Sequence, residues 1–166
     1  LTIITGGQTG VDRASLDIAG ELSLPYAGWC PRGGWAEDLL RPPGLLTRYP
    51  HLRETPLADP AQRTEWNVRD SDAVLILAAG TGIAASRGTA LAADLAVRYR
   101  KPLLVVDLDD TEAVCKTTDW LDGLMTGARH EQPFRLGVGG PRESEAPGIY
   151  NRAVEFLRTT LRGAGK

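Results

Sequence analysis

Three glycine-rich turns carry most of the chemistry that the sequence offers. The first is Gly6-Gly7-Gln8-Thr9-Gly10, which follows an apolar run and opens an amphipathic stretch. Free N–H groups at a helix N-terminus attract an anion, and glycines let a ligand approach the backbone closely. This turn is a candidate phosphate site; a tight strand-to-helix turn that needs glycine for its own geometry is the alternative. A carboxylate introduced at Gly7 is expected to abolish anion binding and leave the fold near intact. The turn has no Gly-Lys-Ser/Thr ending, so it is not a Walker loop, and it lacks the Gly-x-Gly of the dinucleotide fingerprint. No acidic residue closes the second apolar run at Trp29-Cys30-Pro31 to take a ribose hydroxyl.

The second turn is Gly80-Thr81-Gly82, followed by Ser86-Arg87-Gly88-Thr89 at the start of a helical pattern. It offers glycines, hydroxyls and a fixed cation. A flexible loop in which Thr89 only caps a helix is the alternative. If the strands before the first two turns are neighbours, both turns face one crevice. The third is Gly139-Gly140-Pro141-Arg142-Glu143-Ser144-Glu145. Arg142 there suits an anion. Glu143 and Glu145 suit a base or pterin edge, or else the positive end of the next helix.

Arg13 and Arg32 are further basic candidates. Arg13 falls in the first turn of a helix, the wrong end for the macrodipole, which hints at a ligand or a carboxylate partner; surface solvation is the commoner alternative. Arg63, Glu65 and Arg69 beside Trp66 read as a paired, structural face. Trp29 and Trp35 flank a long loop, where they either stack on a flat ring or fill core and subunit contacts. His51 and His130 are lone, and neither Cys30 nor Cys115 has a partner at metal-ligand spacing, so neither a metal site nor a catalytic set is assigned. Asp107, Asp109 and Asp110 read as turn punctuation.

These turns need a scaffold. Short apolar runs at Leu1–Thr5, Pro25–Trp29, Ala73–Leu77, Leu103–Val106 and Phe134–Val138 read as strands buried on both faces. Helical spacing joins Val11, Ala14, Ile18 and Leu22, with Thr9-x-x-Asp12 as a capping box. Asp59-Pro60 opens a helix carrying Trp66. Leu91, Leu95 and Tyr99 mark a third, residues 111–125 a fourth, and Ile149 to Leu161 the last, opened by Pro147. The alternation predicts a single Rossmann-like α/β domain over 1–166, with a parallel sheet of about five strands and helices on both faces. Residues 30–60 have weak periodicity and read as a long ordered loop or an oligomer-contact insertion.

The chain has 166 residues, with 19 Lys and Arg against 21 Asp and Glu, a net charge of −2. That balance argues against a nucleic-acid partner. No apolar run approaches membrane-spanning length, so no membrane partner is expected. Two isolated cysteines and no leader pattern point to the cytoplasm.

Several motifs, in order along nearly the whole chain, resemble the molybdenum cofactor carrier family. They are Gly6-Gly7-Gln8-Thr9-Gly10-Val11-Asp12-Arg13, Trp29-Cys30-Pro31-Arg32-Gly33, Ala36-Glu37-Asp38, residues 63–72, Arg87-Gly88-Thr89 and Gly140-Pro141-Arg142-Glu143-Ser144. The resemblance implies a Rossmann-like sheet related to phosphoribohydrolases once labelled lysine decarboxylases. It implies a homo-oligomer, commonly a tetramer, that holds and protects molybdenum cofactor, a phosphorylated pterin, for transfer to molybdoenzymes. Residues 6–10 and 86–89 would then receive the anionic end, with Arg32, Arg142 and Glu143 at the rim. The phosphoribohydrolases carry a glutamate just after Gly-Thr. Here Gly88-Thr89 is followed by Ala90-Leu91-Ala92-Ala93, and the first acid is Asp94. Binding is therefore favoured over catalysis. A phosphoribohydrolase-like enzyme, or a sensor of a phosphorylated small molecule or oxyanion, is the alternative.

Overall fold

A computed structural model describes residues 1–80, 86–126 and 133–163. Six strands form one parallel sheet: β1 (Thr2–Ile4), β2 (Tyr26–Cys30), β3 (Leu52–Glu54), β4 (Ala73–Ala78), β5 (Leu103–Asp107) and β6 (Arg135–Gly139). Their order across the sheet is β3-β2-β1-β6-β4-β5. The five apolar runs each supply a strand. β4 is buried along its whole length, as a strand covered on both faces must be. The sixth strand, β3, is only Leu-Arg-Glu, with one apolar residue to bury, so no periodicity marks it.

Helices α1 (Val11–Glu21), α5 (Ala113–Thr126) and α6 (Ile149–Leu161) cover one face. They enclose a core with Ile3, Leu75, Leu77, Leu136 and Leu157. Helices α3 (Pro60–Arg69) and α4 (Arg87–Arg98) cover the other face through Val68, Val74, Ile76 and Leu95. The short α2 (Leu45–Arg48) lies within the supposed long loop. That segment is neither structureless nor detached. It adds α2 and β3, and it buries Cys30, Ala36, Leu45, Tyr49 and Leu52 against Leu16 of α1. Among the described residues no helix is long and apolar enough to cross a membrane.

The position of β6 decides the geometry of the site. The chain builds outward from β1 to β3, crosses through α3 to β4, then returns to place β6 between β1 and β4. β1 and β4 are therefore not neighbours. The ends of β1, β6 and β4 stand side by side instead. All three glycine-rich turns leave the carboxyl edge of the sheet there, where open parallel sheets bind ligands.

Candidate functional site

A cleft of about 540 Å³ lies at this edge. Its walls come from Gln8 and Asp12, from the start of α3 at residues 59–64, from residues 86–92 of α4, and from Gly139, Gly140 and Arg142. Two helices thus begin at the cleft. Asp59 caps α3 by accepting the Ala61 N–H at 2.9 Å. Ser86 caps α4 by accepting the Thr89 N–H at 3.3 Å. Thr89 is not the cap, and its own hydroxyl is buried with no hydrogen-bond partner. A buried, unsatisfied hydroxyl costs free energy unless something meets it. Arg87 and Gly88 are exposed in the first turn of α4, where backbone N–H groups have no intrahelical acceptor.

The first turn is differently used. No capping box forms: α1 starts at Val11 after Gly10, with no side-chain cap. The Thr9 hydroxyl donates to Glu37, and Asp12 accepts the Gln8 N–H at 3.4 Å. Thr9 N–H goes to the Gln8 side chain at 3.1 Å, and Val11 N–H to the Pro141 carbonyl at 3.3 Å. These donors already have protein acceptors. The Asp12 carboxylate sits where an anion would otherwise approach α1.

Asp12 is buried and pairs with Arg63 at 2.9 Å. Burial pushes its pKa above the usual value, against the opposing pull of Arg63 and the Gln8 N–H. Arg63 comes from α3, the helix of Trp66, and it is paired as expected, but inward, with Asp12. Its guanidinium lies over Gly6, where any Cβ would collide with it. The rest of the expected α3 face is present: Arg69 pairs with Asp70 at 2.7 Å and lies 4.8 Å above the Trp66 ring.

Gly7 and Gly10 turn away from the cleft. Gly7 has φ +72°, and a Cβ there would meet Leu52 Cδ1 at 3.0 Å, with Leu16 and Leu45 close behind. Its missing side chain faces the apolar cluster under β3. The expectation that a carboxylate at Gly7 spares the fold is corrected by that direction. Gly10 has φ +73°, and a Cβ there would strike the Pro141 carbonyl. It lets the first turn pack on the third.

The remaining candidates divide clearly. Gln8, Ser86, Arg87, Gly88, Thr89 and Arg142 line the cleft. Arg13 does not; its guanidinium makes two 2.9 Å bonds to Asp38 and one of 3.2 Å to the Gly7 carbonyl, so the carboxylate partner is the reading realised. The Glu143 carboxylate accepts the Gly148 N–H at 2.5 Å and the Tyr150 N–H at 3.0 Å, holding the start of α6. Glu145 accepts the Arg142 N–H at 2.9 Å. Arg32 lines a neighbouring groove. Gly80 is exposed near Asp109 and outside the cleft lining. Thr81, Gly82 and His130 lie outside the described residues.

Sequence reasoning missed Asp12 and Arg63 as cleft residues, and Glu37 as the clasp above them. Glu37 accepts hydrogen bonds from Thr9 and, at 2.6 Å, from the Ser144 hydroxyl. Its N–H donates to Gln8 Oε1 at 2.9 Å. The first turn, the third turn and the 36–38 segment are thereby tied together. Partial burial opposes the Glu37 charge, but the bonds from Ser144 and Thr9 outweigh it and hold the pKa below 4.5. The bonded carboxylate therefore stabilises the fold above that value, and this contribution is lost as pH falls through the lowered one. Glu37→Ala is expected to cost about 1–2 kcal/mol at neutral pH. Amide exchange should speed up in residues 6–10 and 140–148 alone; unchanged protection there would remove Glu37 from this role.

Asp110 pairs locally with Lys116 at 2.7 Å, whereas Asp109 pairs at 2.6 Å with Arg152 of α6, 43 residues along the chain. Among the described residues no group of three His, Cys, Asp or Glu side chains is placed to hold a metal ion.

The comparisons with known proteins agree with this architecture. No curated protein matches the chain. A solved structure from Syntrophus aciditrophicus SB, at 1.45 Å and described as a "Putative molybdenum carrier protein", is 36% identical. The alignment covers 96% of this chain and 94% of that one, with a TM-score of 0.80. A family model, the circularly permutated YpsA SLOG family, matches residues 3–161. With a match of that extent, the chain belongs to the circularly permutated YpsA SLOG family.

Proposed function

We propose that the protein binds a small phosphorylated ligand in the cleft without covalent chemistry, and that the ligand is molybdenum cofactor held as a carrier holds cargo. The observation that carries this reading is the buried, unpartnered Thr89 hydroxyl beside the open N-terminus of α4. Arg87 and Arg142 add positive charge to the same cleft. A phosphate meets all three needs at once: it accepts from hydroxyl, from backbone N–H and from guanidinium. The relative from Syntrophus aciditrophicus supports the molybdenum part of the reading through its name. The cofactor's pterin dithiolene would carry the molybdenum; this chain's residues hold the phosphate and exclude water. Gln8, fixed between Thr9 and Glu37, forms one wall of the cleft.

Asp12 favours a second reading. It is a buried carboxylate in the cleft with a raised pKa, which the sequence did not lead one to expect there. A phosphoribohydrolase-like enzyme needs such a group, and Asp94, the first acid after Thr89, is exposed on α4 instead. Native mass spectrometry under anaerobic conditions separates the two. An adduct of intact molybdenum cofactor, with AMP left whole in a parallel tube, supports the carrier. AMP split into adenine and ribose 5-phosphate supports the hydrolase. The same spectra read the assembly, for which we propose a homo-tetramer that passes its cargo to molybdoenzymes in the cytoplasm.

Arg87→Ala is expected to weaken binding of a phosphorylated ligand about tenfold at low salt. Because Arg87 is exposed, that deficit should shrink as ionic strength rises. Equal titrations of the two proteins would take Arg87 out of the site.

A further inference from the structure

A second groove adjoins the cleft. It holds about 400 Å³ and is lined by Arg32, Trp35, Leu40, Pro42, Ala58 and Pro60. Pro60 also lines the cleft, so the two spaces meet at the start of α3. They meet a second time through Arg142, a cleft residue whose guanidinium lies 5.8 Å over the Trp35 ring. The groove has apolar side chains open to solvent. Trp35 is half-buried, while Leu40 stays 68% exposed with no core to join. Exposed leucine beside indole and proline gives a flat apolar floor, with a cation at one end.

We infer that this groove is the ring subsite of the same ligand: a planar heterocycle, purine or pterin, lies against Trp35 while its phosphate occupies the cleft at α4. The inference rests on the phosphate reading above and adds what that reading leaves open, namely which part of the chain selects the organic half of the ligand. Indole faces bind flat heterocycles through stacking, and the interaction tolerates different rings because each has a π-face. Arg142 takes part on both sides, since its guanidinium lies within cation–π range of Trp35 and also lines the phosphate cleft. Trp35 sits between Gly34 and Ala36, and Ala36 is fully buried. The backbone that carries the indole is thus held by packed neighbours.

The test uses the full chain and measures binding by calorimetry with three probes: AMP, neopterin monophosphate and ribose 5-phosphate. The first two carry a flat ring and a phosphate; the third has the phosphate alone. Wild-type protein is expected to bind at least one ring-bearing probe about tenfold tighter than ribose 5-phosphate, the size that base–aromatic stacking contributes. Trp35→Ala should erase that preference and leave ribose 5-phosphate binding within about twofold. Trp35→Phe should keep most of it. Leu40→Ala, at an exposed position where unfolding is not an issue, should reduce the preference partway. Equal binding of all three probes by wild type, or a preference untouched by Trp35→Ala and Leu40→Ala, overturns the ring subsite while the phosphate site stands. Failure of every probe to bind overturns both readings together.

Discussion

Gly7→Asp is expected to unfold the chain, not merely to empty its cleft. The argument is directional. The Cβ of residue 7 would point at Leu52, Leu16 and Leu45, all buried. The atoms nearest a Cβ there are three leucine methyls, so a carboxylate would enter an apolar wall, and the nearby Arg13 guanidinium is already held by Asp38. Burying an unpaired charge costs several kcal/mol, and the left-handed φ adds to that cost for any residue with a Cβ. We expect a loss of more than about 3 kcal/mol, read as a large fall in the urea midpoint. Gly7→Ala should lose less, since it carries the backbone strain and crowding without the charge. A Gly7→Asp protein with a near-wild-type midpoint would show that the turn is free to rotate its side chain into the cleft.

The second large effect is at Arg63. Arg63→Ala leaves the Asp12 carboxylate buried without its cation, and breaking a buried pair from one side costs about 3–5 kcal/mol. Its sign with pH is set by Asp12. Burial already raises that carboxyl above its usual 3.8, so the fold favours the protonated form. The corresponding stability is fully present below the usual value and is lost as pH rises through the raised one. Removing Arg63 takes away the main opposing influence and raises the folded value further. The deficit of the variant relative to wild type should therefore be largest at neutral pH and narrow as the solution is acidified. Asp12→Asn in the same chain should recover part of it. Urea midpoints at pH 7 and pH 4.5 for wild type, Arg63→Ala and the double variant measure this. A deficit that widens on acidification would contradict the assignment.

Much of this architecture is legible in the residues, and the reasons for the exceptions are physical. β4 is visible because six consecutive apolar residues are buried on both faces. α6 is visible because Ile149, Ala153, Phe156 and Leu157 recur at helical spacing. β3 is invisible because an edge strand with one buried residue needs no pattern. The neighbours of β1 are invisible because strand order is a long-range choice. Local spacing places Gly6 to Gly10 at a turn, but only the leucine cluster against Gly7 and the third turn against Gly10 show which way they face. Arg63 is the clearest case. Its local company of Glu65 and Trp66 suggests a paired, structural face, yet its partner is Asp12, 51 residues away along the chain. Arg87, Gly88, Thr89 and Arg142 are legible as cleft residues because helix starts and strand ends are marked by local residue type.

The place of β6 also has a temporal meaning. Until residues 135–139 pair with Thr2–Ile4 on one side and Ala73–Ile76 on the other, the β1–β3 and β4–β5 halves share no strand edge. Contacts at such separation are slow to form, because loop closure comes before any pairing gain. On a ribosome the halves would each be finished while the joining strand was still to be made. The cleft, whose walls come from both halves and from the joining strand's own turn, is accordingly among the last features the molecule acquires. A ligand of the cleft has no partly built version of this protein to enter.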